Sequence, residues 1–271
     1  MSIRPHALID RIETYLDAAP RSRTDVEDVG PFTLFRSALG QPYFARTSLG
    51  WAPGYATAVD VRAVCARQRD LGLPERIEWL SEIAPYLGTA CVDAGLRVTR
   101  HPLLVHHEAV AVPVPDGITV RRIDRADDAA VPAAQVVARL AFASPDTAVA
   151  DIGPIDRQRA LDAWAPDSSD ELRRRIRAGE SVVVVAEDEQ GVICSGGHNP
   201  IDDVTEIVGL GTLPAYRRQG LGAAVTDTLV ADAIRRGIEV IFLSADNDAV
   251  ARVYERVGFQ RIGTACTATG N

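Results

Sequence analysis

The chain has 271 residues, of which 46% are hydrophobic and 24% are charged, and its formal net charge is −8. This length suits one large domain or two of ordinary size, and the composition excludes wholesale disorder. The acidic balance argues against a free-standing nucleic-acid binder, because phosphate neutralisation supplies most of the affinity of such proteins.

The first residues form an amphipathic, charged stretch, so we expect no secretion signal, no membrane contact and a cytoplasmic protein. No cysteine lies in a CxxC pair or at metal-ligand spacing from a histidine, so we expect no metal and reduced core thiols. The cysteines are Cys65, Cys91, Cys194 and Cys266. We interpret the adjacent His106 and His107 as surface residues, because neighbours on a strand point to opposite faces.

The N-terminal half carries no catalytic motif, but its elements follow a suggestive order. The predicted elements are a helix at 60–71, a strand at 76–80, a helix at 83–94 and a strand at 96–106. No G-x-G precedes the first helix, and Gly50-Trp51-Ala52-Pro53-Gly54-Tyr55 is the nearest glycine-rich candidate. A phosphate site is therefore not expected in this half.

The Pro-rich segment 109–117 lacks helical periodicity and is interpreted as a linker. It divides the chain into an N-terminal α+β domain at 1–112 and a second domain at 117–271. The second domain is predicted to be α/β with a mixed sheet, in the order β-α-α-β-β-β-α-β-α-β. Its predicted strands are 118–123, 181–186, 192–198, 204–213, 239–245 and 259–268, and its main helices are 127–142, 219–236 and 247–257, with helical turns at 157–164 and 170–178.

One stretch of the second domain has the residue types of a phosphate site. A strand ends at Leu213, the loop runs through Arg217, Arg218 and Gln219, and a helix begins with Gly220-Leu221-Gly222-Ala223. Free N–H groups and the helix dipole favour an anion at such a start, and glycines let a ligand approach the backbone. A pyrophosphate is the natural occupant, although an ordinary tight strand-to-helix turn would have the same pattern.

Two phosphate-binding families are excluded by particular positions. A Walker loop needs a lysine, and the sequence contains none. A dinucleotide fingerprint needs a third glycine where Val225 stands, and an acid at the end of the next strand, whereas Glu239 stands at its beginning.

The stretch Arg217–Gly222 (R-R-Q-G-L-G) resembles the acyl-CoA signature Q/R-x-x-G-x-G/A of the GNAT superfamily. A second stretch, from Asn247 to Phe259, resembles that family's N-x-x-A-x-x-x-Y-E-x-x-G-F helix. The two motifs stand in the family's order, separated by one helix and one strand, and the resemblance covers about residues 117–271. It implies that acetyl-CoA is the co-substrate.

The resemblance also implies roles for individual residues. The loop amides would hold the CoA pyrophosphate, Leu210, Gly211 and Thr212 would meet the pantetheine arm, and Asn247 would touch it as well or only cap its helix. Tyr254 matches the position of the general acid. The alternative is a core aromatic, because Val250, Val253, Tyr254 and Val257 share one predicted helical face.

The general base is less well defined by the sequence. Glu206 precedes Arg217 by eleven residues, a spacing at which histone-type members of the family place a basic glutamate, but a surface carboxylate would fit equally. Alternation predicts that Glu206, Val208, Leu210 and Thr212 share one face. Other members carry the base where this chain has Phe242. His198 is a weaker candidate, and a surface histidine is the favoured interpretation.

The implied activity is transfer of an acetyl group from acetyl-CoA to a primary amine of a small molecule or peptide, by direct attack on the thioester. A non-catalytic acyl-CoA-binding regulatory or scaffold protein is the alternative.

The order of elements in residues 1–108 resembles a degenerate second GNAT unit, as in tandem members, although an unrelated α+β domain fits as well. A homodimer is one option for the assembly. Acidic loops at 144–164 and 196–202 would favour a cationic acceptor. Their acids, with the neighbouring Asp203, are Asp146, Asp151, Asp156, Asp162, Asp202 and Asp203.

Overall fold

The computed structural model describes residues 5–37, 44–51, 56–125, 128–144 and 148–270. Four residues of the glycine-rich segment 50–55 and Asp146 of the acidic set lie outside these ranges. The contacts between residues divide the chain into two units. The first comprises Met1–Leu104, Ser244–Ala251 and Arg261–Asn271, and the second Val105–Leu243 and Arg252–Gln260. The predicted domain boundary at 112–117 stays a prediction.

The first unit begins with a long helix and three short strands, none of which the sequence pattern had indicated. Its elements are α1 (Pro5–Arg21), β1 (Thr24–Val29), β2 (Phe32–Ser37), β3 (Ala45–Thr47), α2 (Ala58–Asp70), β4 (Arg76–Leu80), α3 (Leu87–Asp93) and β5 (Arg97–His106). Helix α2 begins with a capping box in which Thr57 and Asp60 bond each other's backbone N–H groups. The predicted helix at 83–94 is shorter than expected, since its first residues form turns.

The elements of the second unit follow the predicted order, with one helix more between the first two strands. They are β6 (Thr119–Arg122), α4 (Ala130–Ala143), α5 (Pro154–Asp162), α6 (Asp170–Ala178), β7 (Val182–Asp188), β8 (Gly191–Ile201), β9 (Val204–Thr212), α7 (Leu221–Arg235), β10 (Val240–Ser244), α8 (Asp248–Glu255) and β11 (Phe259–Thr269). Four elements contain residues of both units, namely β5, β10, α8 and β11. The predicted mixed α/β class is confirmed.

Each unit contains a run of antiparallel strands followed by one parallel pair, with three antiparallel strands in the first unit and four in the second. In the first, β1, β2 and β3 pair antiparallel and β3 then pairs parallel with β4, giving the strand order β1-β2-β3-β4-β11-β5. In the second, β6, β7, β8 and β9 pair antiparallel and β9 pairs parallel with β10. A helix makes the crossover in each parallel pair, as parallel strands require.

Buried apolar side chains fill the space between helices and sheet in each unit. The first core is built around Phe32, Leu34 and Trp79, each at most 2% exposed. Within the described residues the four cysteines are buried and unbridged, which confirms that they are core thiols. His107 is exposed as predicted, whereas His106 is half-buried with its ring against Phe259. None of the helices in the described ranges is both long and apolar enough to cross a bilayer.

Candidate active site

The loop between β9 and α7 takes an unusual backbone path. A short 3₁₀ turn at Pro214–Tyr216 leads to Arg218, which has φ +64°, and to Gly220, which has φ +84°. Such angles favour glycine and strain other residues. The path turns the chain into the first residue of α7 without a side-chain cap on that helix.

The start of α7 therefore presents backbone donors to a ligand. The N–H of Ala224 makes the first intrahelical bond, to the Gly220 carbonyl at 3.1 Å. The preceding amides of the first turn have no acceptor within the helix. Arg218, Gln219 and Gly220 are exposed. This combination of free amides, dipole and exposed backbone suits a phosphate group.

The two arginines of the loop differ in what their side chains contact. The Arg217 guanidinium donates to the carbonyls of Ala148, Ala141 and Ser144 at 3.0, 2.9 and 3.2 Å. It therefore fastens the end of α4 and the segment after it to the loop. The Arg218 side chain is exposed and has no ion-pair partner among the described residues. Of the two cations, Arg218 is the one available to a phosphate.

Main-chain hydrogen bonds join the same two segments. The N–H of Ala150 donates to the carbonyl of Pro214 at 3.3 Å, and the N–H of Ala215 donates to the carbonyl of Ile152 at 3.1 Å. The predicted acceptor loop and the predicted phosphate loop are thus one connected structure. Sequence reasoning missed this link, because Arg217 was interpreted only as part of a phosphate motif.

Strand β9 contains a bulge immediately before the loop. Ser195 of β8 is paired with Gly211, but Gly197 is paired with Val208, so β9 has one extra residue in this interval. Gly209 lies in the bulge with φ +63°. An extra residue reverses the alternation of side chains along a strand.

The side chains on either side of the bulge demonstrate the reversal. Thr205 faces α7, because its hydroxyl lies 3.0 Å from His198, whose other ring nitrogen is 3.1 Å from Asp232 of that helix. Leu210 faces α7 too, since its Cδ2 would lie 3.7 Å from a Cβ built on Gly222. Five positions separate Thr205 from Leu210, so strict alternation would have put them on opposite faces.

The prediction that Glu206, Val208, Leu210 and Thr212 share one face is therefore wrong. Glu206 points to the face opposite Thr205, which is the face that α4 covers. The α4 side is identified by Gly211, where a Cβ would approach the Ala141 Cβ to 2.9 Å. The glycine at 211 is thus required by the close packing of α4, and its proposed contact with a ligand would involve backbone only.

Strands β9 and β10 separate after a short parallel contact. Their register runs from Val204↔Val240 to Phe242↔Glu206, and β9 continues to Thr212. The β10-facing edge of residues 207–212 therefore carries backbone groups beyond the paired region. An extended ligand with amide groups can pair with such an edge.

Tyr254 lies near the end of α8 and is 9% exposed. Its ring packs edge-on against Phe259 with centroids 5.9 Å apart. No hydrogen bond to its hydroxyl occurs among the described residues. Burial, with a smaller contribution from Cys194, raises the pKa of Tyr254 above its ordinary value of 10.0. Val253 is 37% exposed, so the predicted apolar face does not include it.

Cys194 lies in the second unit beside the last residue of β9. The Thr212 hydroxyl donates to the Cys194 sulfur at 3.2 Å, and burial raises the pKa of this thiol to about 12. Cys194 is therefore a neutral group near Tyr254 and not a thiolate nucleophile.

Asn247, which belongs to the first unit, caps α8. Its Oδ1 accepts hydrogen bonds from the N–H groups of Ala249 and Val250 at 2.9 and 3.0 Å. The side-chain oxygen thus caps the N-terminus of α8, which is one of the two roles predicted for Asn247.

His198 is fully buried, so its interpretation as a surface histidine is wrong. Its partner Asp232 is 3% exposed and also accepts a hydrogen bond from Arg122 at 2.8 Å. Burial lowers the pKa of His198, against the hydrogen bond to Asp232, which raises it. Buried and paired in this way, His198 supports the sheet and is poorly placed to take a proton from an acceptor.

Comparison with known proteins identifies the same region. Residues 149–259 match the model of the acetyltransferase (GNAT) family. A 58-residue stretch is 38% identical to N-alpha-acetyltransferase RimI of Mycobacterium tuberculosis, and this match covers 21% of the present chain and 36% of that protein. The chain thus aligns with about a third of the length of the curated relative.

Two solved structures resemble almost the whole chain. A GCN5-related N-acetyltransferase from Kribbella flavida superposes with a TM-score of 0.67 at 22% identity, covering 97% of this chain and 95% of that one. A tandem GNAT protein from the clavulanic acid biosynthesis pathway superposes with a TM-score of 0.57 at 14% identity, covering 88% and 78%. At these identities the similarity establishes the fold.

Proposed function

Because residues 149–259 place this chain in the GNAT acetyltransferase superfamily, we propose that it moves the acetyl group of acetyl-CoA to a primary amine by direct attack on the thioester. The observation that carries the proposal is the uncapped start of α7, next to the bulged and partly unpaired end of β9. An anion site and an open strand edge adjoin each other there, and CoA has a pyrophosphate joined to an arm with two amide groups.

The cofactor contacts follow from this arrangement. The amides of Gly220, Leu221, Gly222 and Ala223 would bind the pyrophosphate, with Arg218 adding a charge-assisted hydrogen bond. Gln219, exposed between them, is a further candidate contact. Backbone groups of Leu210–Thr212 would pair with the arm, while Arg217 contributes its backbone and holds the neighbouring loop.

Tyr254 is the proposed proton donor. When the amine nitrogen bonds to the acetyl carbon, the carbon–sulfur bond breaks and the departing sulfur carries a negative charge. Tyr254 remains protonated at neutral pH, because burial raises its pKa. Its hydroxyl is free of protein partners in the described ranges, so it can donate to that sulfur.

Glu206 is the proposed base. An alkyl ammonium has a pKa of about 10.4, so a proton must leave before the nitrogen can attack. Glu206 is only half-buried and points to the face on which α4 lies, and Arg217 fastens the predicted acceptor loop to the end of α4. An amine held by that loop would approach from the side of Glu206, directly or through one water molecule.

Release of free thiol from acetyl-CoA, measured with a panel of amines, tests the activity. Acceptor-dependent thiol release that Tyr254→Phe suppresses supports catalysis. CoA binding without thiol release for any amine would instead identify a non-catalytic acyl-CoA-binding protein. The panel should include peptides with a free N-terminus, because the relative from Mycobacterium tuberculosis is an N-alpha-acetyltransferase.

A further inference from the structure

The Pro-rich segment that follows β5 lies in the second unit and begins beside the end of α8. The N–H groups of His107 and Glu108 donate to the Gly258 carbonyl at 2.8 and 3.3 Å. Gly258 has φ +90°, and a Cβ built on it would clash with the Glu108 carbonyl oxygen. The two backbones therefore approach each other as closely as only a glycine allows. This end of the segment is fixed four residues beyond Tyr254.

Aromatic packing joins this anchor to the proposed proton donor. The ring of His106, the residue before the anchor, lies edge-on against Phe259 with centroids 5.4 Å apart. Phe259 in turn lies edge-on against Tyr254, with centroids 5.9 Å apart. The start of the segment is thus held beside the place where the sulfur of CoA would react.

The segment ends at the start of α7, beside the proposed pyrophosphate site. The Cγ of Pro115 would lie 3.9 Å from a Cβ built on Gly220, which is van der Waals contact. The Ile118 N–H donates to the Pro115 carbonyl at 3.2 Å and closes a turn in which Gly117 has φ +72°. Residues 109–115 therefore form a strap that runs from the end of α8 to the start of α7.

The middle of the strap is held by packing alone. Residues 109–114 belong to no helix or strand and make no hydrogen bond with other described residues. The half-buried side chains of the strap are Val110, Val112 and Pro115, and the exposed ones are Ala109, Ala111, Pro113 and Val114. The strap therefore has an apolar inner side, which faces the protein, and an outer side in solvent.

The composition of the strap suits the uncharged part of a cofactor. Residues 109–115 have no charged or hydroxyl side chain. Asp116, which follows them, is exposed, so its carboxylate stays in water and adds no attraction for an anion. In CoA the stretch between the pyrophosphate and the sulfur is the uncharged pantetheine arm, and its apolar carbons would fit the inner valines.

We propose that the strap closes over the pantetheine arm of CoA, with Val112 against the arm, and slows the release of the cofactor. The proposal rests on the CoA site proposed above, because the strap joins the two places assigned there to the ends of the arm, Gly220 and Tyr254. Since no hydrogen bond holds its middle, the strap can lift to admit CoA and then settle on the arm. Its opening then sets the rate at which CoA leaves.

The rate of CoA dissociation from the full chain tests the strap. A CoA analogue with a fluorescent group on its adenine ring is displaced by excess CoA in a stopped-flow instrument. Val112→Ser should raise the dissociation rate about tenfold, because it removes apolar contact with the arm. Val114→Ser is the matched control, since the same change on the outer side of the strap should leave the rate at the value of the parent. The Tm without cofactor should stay close to that of the parent in both variants.

Amide hydrogen exchange gives a second measurement that needs no variant. The N–H groups of the strap have no acceptor in the described part of the chain, so they should exchange quickly without CoA and more slowly with it. If CoA does not raise the Tm of the parent, the proposed CoA site is wrong, and the strap with it. If CoA raises the Tm but Val112→Ser and Val114→Ser release the analogue equally fast, or exchange at 109–114 is unchanged, the strap alone is overturned.

Discussion

The Cδ2 atom of Leu210 would lie 3.7 Å from a Cβ placed on Gly222, which is an ordinary van der Waals contact. Gly222 has no positive φ, unlike Gly220, so the fold itself does not require a glycine at 222. A glycine that the protein does not need suggests a ligand that approaches the backbone.

Gly222→Ala is therefore expected to keep or raise the Tm, since alanine in a helix is favoured over glycine by up to about 1 kcal/mol. The Tm increase caused by CoA should shrink, because the added methyl group would crowd the pyrophosphate. Gly88→Ala is the matched control: it is also the second residue of its helix, with Trp79 at 3.7 Å, and should keep the full CoA response. An equal Tm increase with CoA in the two variants would show that CoA does not bind at the start of α7.

Arg218→Ala should weaken CoA binding about tenfold, the loss expected for one charge-assisted hydrogen bond, with little change in Tm. Arg217→Ala should instead lower the Tm, because three backbone carbonyls lose their donor. Calorimetric titration with CoA at two salt concentrations measures the affinities of the two variants, and thermal unfolding measures their Tm values. A larger loss of CoA affinity in Arg217→Ala than in Arg218→Ala would reverse the roles assigned to the two residues.

Tyr254→Phe should lower kcat about 10²-fold or more while the affinity for CoA stays close to that of the parent. The hydroxyl has no partner in the described part of the chain, so its removal should leave the Tm unchanged or slightly higher. Steady-state kinetics with the best amine of the panel provide the measurement. An unaltered kcat would make Tyr254 a packing residue only.

Glu206→Gln should lower kcat about 10²–10⁴-fold at pH 7, the range for a positioned base. The deficit should shrink as the pH rises, because more of the amine is then unprotonated without help. A pH–rate profile for parent and variant tests this. Parallel profiles would eliminate Glu206 as the base.

His198 should make folding stability dependent on pH. Its pKa is lowered from 6.5 in the folded chain, so below about pH 6.5 the unfolded state binds a proton that the folded state does not. The free energy of unfolding therefore falls as the pH decreases, by at most about 1.4 kcal/mol per pH unit for one such group. His198→Gln should flatten this dependence between pH 5 and 6.5, whereas His107→Gln, at an exposed position, should not. Urea unfolding at several pH values measures this dependence. If the free energy of unfolding of His198→Gln changes with pH as steeply as that of the parent, His198 is not the source of the dependence.

Much of this protein followed from the sequence alone. The order of elements from β6 to β11, apart from one further helix, and the buried thiols were predicted, because hydrophobic periodicity and glycine punctuation are local properties of the chain. The phosphate-binding role of the loop at 217–223 stays a prediction. Helix α1 and strands β1 to β3 were not predicted. Strand β3 has only three residues, and so short a run carries almost no periodic signal.

The tertiary structure decided which way the important side chains point. The extra residue at Gly209 reverses the face on which each later side chain of β9 lies. Glu206 and Leu210 therefore lie on opposite faces of the sheet, whereas strict alternation predicts one shared face. His198 became a buried support because Asp232 approaches it from α7, 34 residues further along the chain. The Arg217 side chain holds the neighbouring loop in place through another long-range contact, since the carbonyl groups to which it donates lie about 70 residues earlier in the chain. Contacts between residues so far apart in sequence leave no trace in a local pattern, because only the packing of helix on sheet brings them together.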